Sequence, residues 1–423
     1  MATTPITRKL QSLVSIYYLL ICVVLLITPS YSSTATTAAN TNAELNVMSI
    51  KPPTKPEVLQ SQQKTSTSNL KVSDGTHYVH IYVGTPPQKV TVILDTGSHF
   101  TAFPCVGCRS CGRHTDPPFD WDKSGTARDV GCDRCEHKKT AKCEDDEHCI
   151  FSQSYTEGSS WEAIQVEDVL FFGEDSLDGS TESQKMFTKI DFVFGCQRKE
   201  SGLFTTQKVD GIMGLAMHEN GLMSHIADND SSPQKMFSLC FTPDGGTFTL
   251  GGIETGYHAA VVQYTKLVKN SGWYSVQMKS LYLGDTLVTN DVHGFNSGKG
   301  VIIDSGTSDT YLPKYTAKEF KAVWKELVGR KYSNEKEYFT DDEFKRLPSI
   351  HFVFEGGERL TVLAKNYMEK SKAGPHYWIS RVYLDEPKGA VLGANSMLYH
   401  DILFDEKNLR LGWATSTCGG SSG

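Results

Sequence analysis

A motif that occurs twice sets the strongest limit on the fold of this chain. Residues 90–98 and residues 301–307 each consist of an apolar run followed by the pattern Asp-(Ser/Thr)-Gly-(Ser/Thr). One such pattern is weak evidence, because Asp and Gly are common in turns. Downstream, each copy is followed by an apolar run that ends in glycine, residues 211–214 in the first half and residues 390–393 in the second. Two equivalent halves are therefore predicted.

The residue types of the motif point to acid–base chemistry. Asp95 and Asp304 occupy equivalent positions in the two halves. Two carboxyl groups that pseudo-twofold symmetry brings together cannot both ionise cheaply, so they share one proton. The ionised group can take a proton from a water molecule while the protonated group donates to a carbonyl oxygen. The pair thus predicts a hydrolase with a water nucleophile, which requires no metal and no cofactor.

The residues that follow each aspartate suit this chemistry. Glycine lets the chain turn tightly, and neighbouring hydroxyls can hold the carboxylates by hydrogen bonds. The predicted supporting residues are Thr96, Gly97, Ser98, Ser305, Gly306 and Thr307.

Around these motifs the sequence predicts an all-β chain with a few short helices. Short runs rich in β-branched and aromatic residues alternate with Gly, Pro, Asn and Asp, which is typical of sandwich or barrel sheets rather than of a doubly wound α/β fold. The predicted strands are residues 78–83, 90–94, 164–172, 192–194, 247–250, 301–303, 350–354 and 403–413. Apolar residues at helical spacing predict a helix over residues 316–328, and a weaker pattern indicates a second near residues 219–227.

The N-terminus reads as a secretory signal peptide over residues 1–32. Arg8 and Lys9 precede the apolar residues 13–27, which rise only about 22 Å as a helix, short of the roughly 30 Å hydrocarbon core. An uncleaved signal anchor is the alternative, and it would be the only contact with a membrane. Residues 33–76 are rich in Thr, Ser, Pro and Lys, so a linker or reduced prosegment is expected. We therefore expect a secretory-pathway protein, in the endoplasmic reticulum or secreted.

Charge and cysteine usage agree with export. The formal net charge is −7, and the chain shows no basic footprint of the kind that nucleic-acid binding needs. Of the 11 cysteines, Cys22 lies in the signal segment, and the remaining even set favours disulfides. Zinc is the alternative, because Cys105-x-x-Cys108 and Cys132-x-x-Cys135 have knuckle-like spacing. The sequon at residues 229–231 predicts glycosylation of Asn229.

The motifs together resemble those of the pepsin-like aspartic proteases over residues 77–418. Besides the two Asp motifs, the resemblance rests on residues 77–88, 250–253 and 404–414. It implies a bilobal all-β fold with pseudo-twofold symmetric lobes, acting on protein or peptide substrates, and we expect a monomer. The implied parts are an N-terminal lobe with the first Asp motif, a cysteine-rich insert and a flap over residues 77–255, a C-terminal lobe with the second Asp motif over residues 256–418, and a flexible tail over residues 419–423.

Residues 154–159 resemble the flap of that family. By this resemblance Tyr155 is the flap tyrosine that closes over bound peptide, and Gly158 belongs to the same turn. The alternative for an isolated tyrosine in such a turn is surface packing. The family's usual partner of this tyrosine is a tryptophan seven residues after the first catalytic aspartate, where this chain has Ala102. The nearby Trp161 is the candidate replacement.

Two groups within the family provide finer expectations. The cysteine-rich insert resembles that of the nepenthesins, and residues 103–112 together with the flap resemble the plasmepsin V group. The second resemblance implies that Glu157 binds an arginine three residues before the cut, with leucine at the cut itself. Glu200 and Gln207 are candidates to complete that polar pocket. The alternatives are that Glu157 is a solvated flap-tip residue, and that specificity is broad and apolar.

The resemblance also implies a disulfide pattern. The insert of the nepenthesins suggests four pairs, and beta-secretase suggests the fifth. The expected pairs are Cys105–Cys108, Cys111–Cys196, Cys132–Cys149, Cys135–Cys143 and Cys240–Cys418.

Three function classes are consistent with the sequence. The leading one is an aspartic endopeptidase that processes secretory-pathway proteins at Arg-x-Leu sites. The second is a catalytically silent pepsin-fold binding protein, which usually lacks an aspartate or the flap. The third is a metal-dependent structural module built on the cysteines. The presence of Asp95, Asp304 and Tyr155 favours the endopeptidase.

Overall fold

A computed structural model of the chain describes residues 65–136, 140–144, 147–172, 188–226 and 233–419. Strands dominate these residues, and the helices are few and short. The predicted all-β class is confirmed.

The strands of the first half and of the connection to the second are β1 (Ser66–Ser73), β2 (Thr76–Val83), β3 (Gln88–Asp95), β4 (Ala102–Pro104), β5 (Arg128–Asp129), β6 (Lys142–Glu144), β7 (His148–Ser154), β8 (Ser160–Phe172), β9 (Thr188–Ser201), β10 (Gly211–Gly214), β11 (Met236–Thr242), β12 (Gly245–Leu250) and β13 (Gln263–Lys266). Those of the second half are β14 (Ser275–Val276), β15 (Met278–Leu283), β16 (Thr286–Thr289), β17 (Val301–Ile303), β18 (Thr310–Pro313), β19 (Glu337–Tyr338), β20 (Ile350–Phe354), β21 (Arg359–Val362), β22 (Met368–Lys370), β23 (Tyr377–Ser380), β24 (Val382–Glu386), β25 (Ala390–Leu392), β26 (His400–Asp405) and β27 (Arg410–Thr415). The helices are α1 (Leu222–His225), α2 (Ala317–Val328), α3 (Asp341–Lys345), α4 (Ala364–Tyr367) and α5 (Ala394–Met397).

These strands form four sheets. The largest has 15 strands in the order β13-β27-β26-β11-β12-β1-β2-β3-β10-β4-β9-β8-β7-β6, with β5 beside β8. The others have the orders β14-β17-β25-β18-β24, β16-β15-β20-β21 and β19-β23-β22.

The two halves repeat one arrangement of strands around their Asp motifs. In the first half, β3 runs parallel to β10, β10 antiparallel to β4, and β4 parallel to β9. In the second, β17 runs parallel to β25, β25 antiparallel to β18, and β18 parallel to β24. Since β3 ends at Asp95 and β17 ends directly before Asp304, each aspartate occupies the same topological position. The predicted pseudo-twofold relation between the lobes is confirmed.

The strands that carry the aspartates are buried. Val92 and Leu94 on β3, and Val301 and Ile303 on β17, are all shielded from solvent. Continuous apolar runs are typical of parallel strands covered on both faces. This packing holds the strand ends, and therefore the start of each Asp turn, in fixed positions.

The helix predicted over residues 316–328 is observed as α2. Phe320 and Trp324 are buried on one face of it, and Gly329 ends it with a left-handed φ of 79°. Glycine is favoured at this position because it has no Cβ to clash in that conformation. The weaker pattern near residues 219–227 corresponds to α1, a single turn.

Two predictions about segments are wrong. Residues 403–413 form parts of two antiparallel strands, β26 and β27, because the Asp405 carboxylate accepts hydrogen bonds from the Asn408 backbone and side chain and closes a turn between them. Residues 66–73, predicted as part of the linker, form β1. Their polar sequence does not predict a strand, because the stability of β1 comes from backbone pairing with β12 and β2.

Four of the five expected disulfides are also wrong. The structure pairs Cys105–Cys196, Cys108–Cys111, Cys132–Cys143, Cys135–Cys149 and Cys240–Cys418, of which only the last was expected. The incorrect expectations were Cys105–Cys108, Cys111–Cys196, Cys132–Cys149 and Cys135–Cys143. The parallel pairing of β4 with β9 places Cys105 beside Cys196, and spacing in the sequence carries no information about that register.

These disulfides bear on the zinc alternative. Every cysteine of the two Cys-x-x-Cys motifs is bonded to another cysteine, so none is available there as a thiolate ligand. Within the described ranges, no group of three or more His, Cys, Asp or Glu side chains is arranged to hold a metal ion.

Some predictions fall outside the described residues. These are the signal peptide over residues 1–32, most of the linker, glycosylation of Asn229, and residues 420–423 of the predicted flexible tail. In the part of the chain that the structure describes, no helix is long and apolar enough to cross a membrane.

Candidate active site

The two aspartates predicted from the repeated motif meet across their turns. A Cβ atom added to Gly97 would lie 2.5 Å from the carboxyl atoms of Asp304. A Cβ atom added to Gly306 would lie 2.2 Å from Asp95 Oδ1. Any larger residue at either glycine would therefore collide with the opposite aspartate, which explains why both turns need glycine.

Reciprocal hydrogen bonds clamp the two turns together. Thr96 Oγ1 donates to Ile303 O at 2.8 Å and accepts from Ser305 N at 2.9 Å. Ser305 Oγ donates to Leu94 O at 2.7 Å and accepts from Thr96 N at 3.0 Å. Each hydroxyl thus bonds the backbone on both sides of the opposite turn. Since Thr96 and Ser305 are buried, these bonds fix the distance between the aspartates without competition from water.

The two carboxyl groups differ in their hydrogen bonds. Asp304 accepts from Gly306 N at 3.0 Å, from Thr307 N at 3.2 Å and from Thr307 Oγ1 at 2.7 Å. Asp95 Oδ1 accepts from Gly97 N at 2.8 Å. The buried Ser98 hydroxyl forms no well-aligned hydrogen bond, yet it lies near enough to Asp95 to lower its pKa.

The surroundings of Asp95 favour its protonated form. Burial, and then the charge of Asp304, raise the pKa of Asp95 to about 8. The charged form of Asp95 is disfavoured because it would stand beside a second carboxylate in a site shielded from water. Asp95 therefore keeps its proton at neutral pH, and a protonated carboxyl group next to a second carboxyl group is the arrangement that general acid–base hydrolysis uses.

The predicted flap is the hairpin of β7 and β8. Its tip is closed by bonds from Tyr155 N to Ser159 O at 2.9 Å and from Gly158 N to Tyr155 O at 3.0 Å. Gly158 has a φ of 96°, a conformation that favours glycine. Burial, and then the charge of Asp95, raise the pKa of Tyr155, so the tyrosine lies close to the catalytic pair. The hairpin thus places Tyr155 near Asp95.

Trp161 is the hydrogen-bond partner of the flap tyrosine. Its indole N–H donates to Tyr155 Oη at 3.2 Å. The indole is buried, and it packs edge-on against Phe151 and Phe100 with ring centroids 5.2 Å and 6.3 Å away. Since the tryptophan comes from β8 of the flap hairpin, Ala102 on β4 need not supply a partner.

The candidate specificity residues have different surroundings. Glu157 is exposed at the flap tip. Glu200 is buried and its Oε2 accepts from Gly112 N at 2.9 Å and contacts His114 Nε2 at 3.1 Å. Gln207 donates from Nε2 to Val209 O at 2.9 Å. Among the described residues, no hydrogen bond or ion pair joins Glu157 to Glu200 or Gln207.

Two residues beside the Asp turns were not predicted from the sequence. His99 Nε2 contacts Gly272 O at 2.9 Å, and Trp273 Nε1 donates to Gly97 O at 3.1 Å. Both contacts join segments that are remote in sequence, so no motif marks them.

Known proteins are similar to both halves of the chain. Family models described as the N-terminal and C-terminal domains of xylanase inhibitors match residues 77–252 and 273–415. Aspartic protease 5 of Toxoplasma gondii is 28% identical over 63% of this chain and 32% of its own length. Aspartic proteinase 36 of Arabidopsis thaliana is 27% identical over 82% of this chain and 75% of its own length.

Plasmepsin V of Plasmodium falciparum is 29% identical over 43% of this chain and 30% of its own length. The chain thus spans about a third of the length of these two parasite relatives. The two matched segments correspond to the two halves, and each half carries one aspartate in an equivalent turn. The chain belongs to the pepsin-like aspartic protease family.

Proposed function

We propose that this protein is an aspartic endopeptidase, which hydrolyses peptide bonds with a water molecule activated between Asp95 and Asp304. The observation that carries the proposal is the buried pair itself, in which four reciprocal hydrogen bonds hold the two turns together and burial beside Asp304 raises the pKa of Asp95. Relatives named as aspartic proteases support it.

The reaction follows from the protonation state of the pair. The ionised carboxylate takes a proton from the water molecule as its oxygen attacks the peptide carbonyl carbon. The protonated carboxyl donates its proton to the carbonyl oxygen, and a tetrahedral gem-diol forms. A proton then passes from the pair to the amide nitrogen, the C–N bond breaks, and the carboxylic acid and amine leave. Tyr155, above the pair, limits the access of bulk water and holds the peptide in place.

For the substrate we propose proteins of the secretory pathway with Arg-x-Leu sites, cut after leucine. Partial similarity to plasmepsin V and the exposed carboxylate of Glu157 at the flap tip support this. A guanidinium pairs well with a carboxylate through two parallel hydrogen bonds. Five disulfides support synthesis in an oxidising compartment, such as the endoplasmic reticulum or the exterior.

Two paired peptide assays test specificity. Cleavage of Arg-x-Leu peptides and of their Ala-x-Leu counterparts is measured with the wild-type protein and with Glu157→Gln. The control variant is Glu162→Gln, which removes an exposed charge from the same hairpin. We expect Glu157→Gln to lower kcat/KM on the arginine peptide alone, and Glu162→Gln to change neither peptide. Equal cleavage of both peptides by the wild-type protein would refute the arginine pocket and favour broad apolar specificity.

A second candidate function is a catalytically silent binding protein. It is favoured by one observation, that both matched family models are described as domains of xylanase inhibitors. Incubation of folded protein with a proteome-derived peptide library, with and without pepstatin, separates the two candidates. Cleavage that pepstatin blocks supports the endopeptidase. A library that stays intact, together with binding to a xylanase, supports the inhibitor.

A further inference from the structure

A short segment of the second half, residues 271–275, contacts both catalytic turns. Its Trp273 indole N–H donates to Gly97 O at 3.1 Å, two residues after Asp95. The carbonyl of Tyr274 accepts from Ile303 N at 3.2 Å, directly before Asp304. This segment is therefore hydrogen-bonded to the backbone beside both aspartates.

The contact with the first turn is reciprocal. His99 Nε2 lies 2.9 Å from Gly272 O, and because a carbonyl oxygen can only accept, that nitrogen carries the proton. The imidazole and the indole of Trp273 pack with ring centroids 5.5 Å apart. A side chain of each segment thus bonds the backbone of the other. The packing restrains the indole, so its N–H stays directed at Gly97.

Gly97 needs such an external contact. It has to be glycine, because a Cβ atom there would collide with the Asp304 carboxyl group. Glycine, however, leaves the backbone free to rotate. The Gly97 N–H donates a hydrogen bond to the Asp95 carboxyl group at 2.8 Å. A bond to the Gly97 carbonyl restricts that rotation and so holds the amide in place.

The second turn is built differently. Asp304 accepts three hydrogen bonds, from Gly306 N and from the backbone and hydroxyl of Thr307, so it depends less on any one amide. Among the described residues, no donor bonds the Gly306 carbonyl. The strand registers pair Ser275 with Ile302 as they pair Tyr78 with Ile93. Thr76 therefore stands in the first half where Trp273 stands in the second, and the tryptophan has no counterpart.

We propose that Trp273 is a positioning residue for catalysis, whose indole N–H fixes the Gly97 backbone and thereby the amide that orients the Asp95 carboxyl group. This inference rests on the peptidase activity proposed above. The indole itself does not touch the reacting atoms. Its effect reaches the reaction through Gly97 and Asp95.

The test uses Trp273→Phe in the full chain, which keeps an aromatic ring and removes the N–H donor. We expect kcat on a peptide that the wild type cleaves to fall about fivefold, as for one lost hydrogen bond, with KM changed less than about twofold. The Gly97 amide lowers the pKa of Asp95, so loosening it also moves the alkaline limb of the kcat/KM profile to higher pH. A purely structural role would not move that limb.

Trp378→Phe is the matched control, because Trp378 is half-buried, stacks on Phe344 with centroids 4.0 Å apart and lies on β23. It should leave kcat and the pH profile unchanged. His99→Ala, which removes the other half of the reciprocal contact, should lower kcat as well, and the double variant should lose less than the sum of the two effects.

Three results are decisive. Wild-type kcat and an unshifted pH profile in folded Trp273→Phe would overturn the inference while leaving the proposed function intact. A loss of kcat that matches a loss of folded protein by circular dichroism would overturn it too. An inactive wild-type protein would refute the proposed function itself, and this inference with it.

Discussion

Replacing Thr96 with valine tests how the two catalytic turns are held together. Valine has nearly the shape of threonine but lacks the hydroxyl, so the change removes the bond to Ile303 O and the bond from Ser305 N. Each hydrogen bond contributes about 1 kcal/mol net, and each buried partner left unpaired costs about 1–3 kcal/mol. The expected loss in free energy of unfolding is about 2–4 kcal/mol.

Urea denaturation of the purified protein, followed by tryptophan fluorescence, measures this loss. Thr101→Val is a close control, because Thr101 is also buried, while its hydroxyl has no hydrogen-bond partner among the described residues. We expect its free energy of unfolding to change by less than about 0.5 kcal/mol, or to rise. Equal losses in the two variants would refute the argument that cross-turn hydrogen bonds, rather than burial of a methyl-bearing side chain, stabilise the site.

Three further outcomes are expected. Trp161→Phe keeps the buried ring but removes the donor to the flap tyrosine, and should lower kcat/KM about fivefold in a peptide assay, with stability changed far less than activity. Loss of the Cys240–Cys418 disulfide, which has a sequence separation of 178, should lower the free energy of unfolding by about 5 kcal/mol on the chain-entropy model. Loss of Cys108–Cys111, with a separation of 3, should lower it by only about 1.6 kcal/mol. Urea denaturation measures both values. Because the pKa of Asp95 is raised to about 8, protonated Asp95 contributes stability that is complete below the ordinary aspartate pKa and is lost as pH rises through about 8. Activity should fall over the same pH range. The pH profiles of unfolding and of kcat/KM check both expectations.

The catalytic pair could be predicted from sequence because its signal is local and repeated. Asp95 and Asp304 each follow a short apolar strand and precede an obligatory glycine, so a few adjacent residues record both the strand and the turn. The same holds for α2, whose apolar stripe lies within one segment. Local patterns of this kind can be recognised in a single sequence, because each residue's neighbours in space are also its neighbours in the chain.

The rest depended on contacts between remote segments. β1 has a polar sequence and is a strand because its backbone pairs with β12 and β2. The disulfide of Cys105 follows from the register of β4 on β9. Trp273 reaches Gly97 only after both halves have folded. Register and the meeting of the two halves are set by packing of the whole molecule, which periodicity and spacing do not record.

The same limit applies to substrate preference. Glu157 could be assigned to the flap by resemblance, and it is exposed there. The surroundings of Glu200, which is bonded to Gly112 and His114, could not be read from the sequence, because the insert that supplies these partners folds back onto β9. Direct comparison of arginine and alanine peptides is therefore the informative experiment for specificity.

Peptide turnover by Asp95→Asn, Asp304→Asn and the double variant shows whether the two aspartates catalyse hydrolysis as one unit. Asparagine keeps the shape of each side chain but cannot share the proton, so each single change should remove nearly all of the wild-type kcat, and the double variant should lose little more because the pair acts as one unit. Circular dichroism and intact disulfides confirm that each variant is folded. A folded single variant that keeps more than about a tenth of wild-type turnover would contradict catalysis by a shared pair.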